Sequence, residues 1–159
     1  MTAYLLIRFL HIAGAAVLLG SGAGIAFFML MAHRSGDAAI VAGVARIVVL
    51  ADFVFTATAV VLQPVTGAVL AAMQGYPIFH GWIALSLLLY LVTGAFWLPV
   101  VWMQMRMRAL AEAAVRAGTP LPPEYRLLFH LWFAFGFPAF AAVLGILWLM
   151  VARPAIPFL

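Results

Sequence analysis

The stretch YLLIRFLHIAGAAVLLGSGAGIAFFMLMA, residues 4–32, is apolar apart from Arg8, His11 and Ser21. A helix rises ~1.5 Å per residue, so ~20 apolar residues cross the ~30 Å hydrocarbon layer of a bilayer. The stretch therefore reads as a membrane span, and the chain as an integral membrane protein. Arg8 and His11, three residues apart, fall on one face of that helix. An arginine and a histidine near the start of a span call for an explanation, because polar groups are costly there.

The rest of the chain has the same character. Of 159 residues, 69% are hydrophobic and 8% charged, with a mean hydropathy of +1.23, far above the apolar fraction of about half found in soluble domains. That length gives one domain, 1–159, with four spans at about 4–32, 46–73, 82–104 and 127–151. Cysteine is absent, which excludes disulfides and thiolate chemistry. Lysine is absent too, so every basic residue is an arginine and Schiff-base chemistry is excluded. The net charge of +4 comes from dispersed arginines, which read as topology signals and not as a nucleic-acid surface.

Connectors after the first and third spans must share one side of the membrane. They hold Arg34, Arg46, Arg106, Arg108, Arg116 and Arg126, against Arg8 and Arg153 on the other side. By the positive-inside rule the arginine-rich side is cytoplasmic and both termini face out. The first span is too long, and lacks the basic start, for a cleaved signal peptide, so it is expected to be retained. Pro64 in the second span and Pro99 in the third predict kinks. The fold class is all-α: a four-helix membrane bundle, N-out and C-out, with kinked second and third helices.

Depth counting sorts the intramembrane polar residues into two layers. His11, Gln63, Thr66 and Ser86 lie in the outer half, with Arg8, His80 and Trp82 at the rim. Asp52 and His130 lie in the inner half, at similar depth on different helices. They are expected to form a hydrogen-bonded pair; the alternatives for Asp52 are Arg46 or Arg126 as partner, or a protonated carboxyl. His11 has the residue type for a haem ligand, a proton shuttle or an interhelix hydrogen bond. No second histidine suits a bis-histidine haem: His130 is too deep, His80 sits in a turn and His33 is on the other side. Gly14, Ala15, Gly20, Gly22 and Gly24 give the first helix a thin surface for a neighbouring helix or a flat ligand. Trp82, Trp97, Trp102 and Trp148 read as interfacial or packing residues. Hydrolase and nucleotide-binding motifs are missing.

The segments FLHIAGA, ADFVFTATAVVLQPVTG, WIALSLLLYLVTGAFWLPVVWMQMRMR and WFAFGFPAFAAVLGILWLMVARP resemble a bacterial family of predicted four-span proteins, domain of unknown function 2269. WLPVVWMQ and LQPVTG are the most specific parts. A more distant likeness, in the LHI opening, the tryptophan that starts span three and the Arg153-Pro154 ending, is to HemJ-type protoporphyrinogen oxidases and, more loosely, to CopD-type copper-resistance proteins. The likeness implies haem b on His11. Ser86 stands where the HemJ-type proteins have a functionally essential lysine, which argues against the oxidase activity itself.

These readings converge on a small haem b-binding redox protein of the bacterial inner membrane. Arg8 would pair with a propionate, Gly14 and Ala15 would make room for the macrocycle, and Gln63, Ser86 and Tyr90 would line a pocket facing a quinone or porphyrin. The competing readings are a non-catalytic membrane subunit or assembly partner, in a homo-oligomer or larger complex, and a small transporter or metal-handling protein. Met103, Met105 and Met107 alternate around a helix, which makes a poor copper path.

Overall fold

A backbone in hydrocarbon must satisfy its own hydrogen bonds, and a chain this apolar does so by forming long helices. The computed structural model describes residues 1–156. It contains α1 (Thr2–Ser35), α2 (Ala38–Ala51), a π-helical turn (Asp52–Thr56), α3 (Ala57–Gln74), α4 (Gly81–Ala117) and α5 (Pro123–Ala152). No strand occurs among the described residues. Because α2, the π turn and α3 run on without a break, the chain makes four helices long and apolar enough to cross a membrane. The fold is an all-α, membrane-spanning four-helix bundle.

The helix ends reflect local chemistry. Gly36, Gly75 and Gly118 close α1, α3 and α4 in the left-handed conformation, with φ of 69°, 70° and 63°, where a side chain is disfavoured. Asp37 starts α2 by accepting from the Ala39 and Ile40 amides at 2.7 and 3.3 Å, which satisfies two of the unpaired donors of a helix N-terminus. Pro123 opens α5 at a position where no amide proton is needed. The α4 helix continues past Gln104, where the apolar run ends, to Ala117. Met107, Ala111 and Ala114 keep this extension buried against the bundle.

The two halves of the bundle differ. At the arginine-rich end, α2 packs on α1 and α4, α4 on α5, and α5 on α1. This closed ring encloses the core, which includes Met29, Val41, Met107, Tyr125, Phe129 and Trp132. Across the π turn the partners change: α3 stays on α1, but its close backbone packing with α4 falls away. A π turn adds a residue to the helix and so rotates the turns beyond it, which is how one span can present different faces to its neighbours. The half that carries the termini is correspondingly looser, and its few buried residues include Gly14, Thr66 and Ser86.

One expectation changes at this level. Gly20 and Gly22 have nothing of the chain near the position of a Cβ, so the small-residue surface is used at Gly14 and not at these two positions. Large apolar side chains such as Phe9, Phe28, Leu98 and Trp148 are exposed, as lipid-facing residues of a span must be.

Candidate functional site

His11 sits between α1 and α3, and the positions around it are specified by small residues. Gly67 of α3 lies against its ring, so that an added Cβ would stand 3.3 Å from His11 Cε1. One turn further along α1, Gly14 faces Gln63, and a methyl group there would overlap the Gln63 amide. That amide donates to the His11 carbonyl at 2.9 Å. Gly14 therefore admits the Gln63 side chain. Ala15 is half-buried and Arg8 is exposed one turn before His11.

The Thr66 hydroxyl bridges the histidine to the backbone of α3. It donates to the Leu62 carbonyl at 2.7 Å, so its oxygen is left to accept, and it lies 2.8 Å from His11 Nδ1. A neutral imidazole in this setting carries its proton on Nδ1 and a lone pair on Nε2. Nε2 has no hydrogen-bond partner among the described residues. Metal-ligating histidines are held in the same way, with the second ring nitrogen donating to a neighbouring oxygen.

The other outer-layer residues are bonded elsewhere. Ser86 is buried and donates to the Trp82 carbonyl one turn back at 2.7 Å. Tyr90 donates across to the Val60 carbonyl at 3.0 Å. Val60 is four residues before Pro64, whose ring nitrogen has no proton to give. The Tyr90 hydroxyl thus supplies the hydrogen bond that Pro64 withholds, and it also links α4 to α3. The structure brings His11, Gly14, Gln63 and Thr66 together, while Ser86 and Tyr90 serve backbone carbonyls.

A second polar centre lies at the π turn. Asp52 is 3% exposed, and one carboxylate oxygen accepts from Trp97 Nε1 of α4 at 3.3 Å. With the Gln104 amide oriented by its neighbours, its nitrogen donates to the other Asp52 oxygen at 3.1 Å and its oxygen accepts from Trp132 Nε1 of α5 at 3.2 Å. Four side chains from three spans form one chain of hydrogen bonds. The expected Asp52–His130 pair does not form: His130 is exposed, and its ring bonds the Arg126 carbonyl of its own helix at 2.7 Å. Among the described residues no cation forms an ion pair with Asp52 either, so Arg46 and Arg126 are not its partners. Trp97 is a hydrogen-bond donor to a buried acid, a role beyond the packing expected of it.

At the arginine-rich end, His33 stacks on Phe129 with ring centroids 3.6 Å apart and planes 5° from parallel. Tyr125 stacks beside them, 5.8 Å from His33. His33 Nδ1 and the Tyr125 hydroxyl are buried without a partner. No group of three or more metal-ligating side chains occurs among the described residues.

Sequence reasoning found His11, Gln63, Thr66 and Asp52 because a polar residue inside a span stands out. It missed Gln104 and Trp132, which complete the Asp52 network. Gln104 looked like the end of a span, and an indole carries no sign in the sequence that it donates. The signal available was the rule that a buried acid requires donors at its own depth.

No curated protein and no solved structure matches the chain. The model of the family described as Predicted integral membrane protein (DUF2269) matches residues 5–154. With nearly its whole length covered, and with four helices long and apolar enough to cross a membrane, the chain belongs to that family.

Proposed function

We propose that this protein is a small redox protein of the bacterial inner membrane that holds haem b on His11 Nε2, with both termini on the outer side. The observation that carries the reading is the Thr66 hydroxyl. By donating to Leu62 and accepting from Nδ1, it holds the ring with a free lone pair on Nε2, which is what an iron ligand requires. A macrocycle on His11 would lie in the looser half of the bundle, where α3 and α4 do not pack closely. Arg8, one turn towards the rim, has the guanidinium fork that matches a propionate.

Bound haem supplies one-electron transfer. The chain's own residues have the tasks of holding and orienting: Thr66 sets the tautomer, Gly67 lets the ring seat against α3, and Gln63 ties α3 to α1 beside the ligand. Ser86 carries no charge and is bonded to its own helix, so protoporphyrinogen oxidation is not part of this proposal. A quinone or a porphyrin is the class of redox partner proposed.

A second reading, a non-catalytic subunit or assembly partner, is favoured by one observation: Gln63, Ser86 and Tyr90 are all spent on backbone carbonyls. The visible spectrum of detergent-purified protein from haem-replete cells separates the two. The redox reading expects a Soret band that shifts on reduction with dithionite and is lost in His11→Ala. A colourless wild-type protein leaves the subunit reading standing.

A further inference from the structure

At the arginine-rich end, α2 and α4 leave between them an open groove of about 690 Å³. Its rim holds Arg46, Arg108 and Glu112, and its walls include Ile47, Leu50, Phe53 and Met105. These four apolar side chains are 41–68% exposed. From Arg46 to Phe53 the groove runs along two turns of the second span, ~10 Å from the membrane boundary inwards.

The rim charges are arranged and not merely adjacent. Glu112 accepts from Arg108 Nε at 2.9 Å and lies 3.6 Å from Arg46 Nε through the same oxygen. One carboxylate therefore steadies two guanidinium groups through their Nε atoms. The terminal nitrogens of both have no partner among the described residues. The two arginines outnumber the one glutamate, and Arg116, one turn beyond Glu112, adds to them, so the mouth of the apolar groove is net positive.

We propose that this groove binds an anionic phospholipid. The phosphate, carrying one negative charge, sits between the Arg46 and Arg108 guanidiniums and offsets the positive charge of the rim. An acyl chain lies along Ile47, Leu50 and Phe53. A zwitterionic lipid fits less well, because its head group brings a cation to an arginine pair. Basic pockets between helices at this depth are suited to anionic head groups, with each arginine near the surface contributing roughly a fivefold preference. The inference does not depend on haem at His11.

The test is native mass spectrometry of the full-length protein, released from nanodiscs containing equal amounts of phosphatidylglycerol and phosphatidylcholine. The expected result is retention of phosphatidylglycerol in preference to phosphatidylcholine, and loss of that preference in Arg46→Gln with Arg108→Gln. Arg34→Gln with Arg126→Gln, a double substitution that removes the same charge away from the groove, keeps it. Leu50→Trp, which fills the apolar wall and leaves both arginines, lowers retention of either lipid and serves as the second variant if the double substitution does not fold. Equal retention of the two lipids by the wild type overturns the proposal. So does a preference that survives the double arginine substitution, a lipid retention that Leu50→Trp leaves unchanged, or a mass showing a second copy of the chain seated there in place of lipid.

Discussion

Asp52 shows what one residue can demand of a membrane protein. A carboxyl group in hydrocarbon needs hydrogen-bond donors, and here two indoles and an amide from α4 and α5 are committed to the network around it. Its position on the second span makes those donors a tie between three spans. Asp52→Ala leaves Trp97 Nε1 and the Gln104 amide without an acceptor, at a cost of about 1–3 kcal/mol for each orphaned group. Thermal unfolding in detergent is expected to show a clear drop in melting temperature, and a smaller one for Asp52→Asn, which keeps one acceptor oxygen. An alanine variant that melts with the wild type would show that the network contributes nothing to the fold. The need for donors was legible in the sequence. Their identity was not, because which residues meet across three apolar helices depends on rotations that hydrophobic periodicity does not encode in lipid.

At the scale of the element, the second span is two helices in one. Asp52–Thr56 is a π turn, and Pro64 interrupts the hydrogen-bond ladder eight residues further on. The proline was visible in the sequence as a defect; the π turn was not, since DFVFT has no composition that distinguishes it from α-helix. Nor was the remedy for the proline visible, a tyrosine on another span. The pairing of Tyr90 with the Val60 carbonyl predicts an interaction between distant positions. Tyr90→Phe should destabilise the protein by about 1 kcal/mol or more, because a buried carbonyl loses its donor. Pro64→Ala restores an amide proton to that carbonyl, so the Tyr90→Phe effect should shrink in its background. A double-mutant cycle measured by thermal unfolding checks this, and strictly additive effects would contradict it.

For the whole molecule, composition alone was enough for four spans, because length and hydropathy decide how often a chain crosses a bilayer. The unequal halves needed coordinates. The arginine-rich half is a closed ring with a dense core, and the half bearing the termini opens between α3 and α4. The distribution of arginines predicts that the dense half faces the cytoplasm. The chain has no cysteine, so single substitutions report on sidedness without background. Thr2→Cys is expected to react with a membrane-impermeant maleimide in intact spheroplasts, and Thr119→Cys, in the exposed connector after α4, only after permeabilisation. The reverse pattern would invert the bundle and place His11 near the cytoplasmic face.

The redox reading rests on His11 acting as a ligand and not only as a packing group between α1 and α3. Chemical rescue separates these roles most directly. His11→Gly removes the imidazole and leaves a cavity its size, to which free imidazole can be added. The account predicts that purified wild-type protein titrated with haemin develops a Soret band saturating at one haem per chain. His11→Gly should develop none until imidazole is supplied, and should then recover the wild-type spectrum. A wild-type protein that takes up no haem, or a His11→Gly variant that binds it with an unchanged spectrum, would contradict the claim.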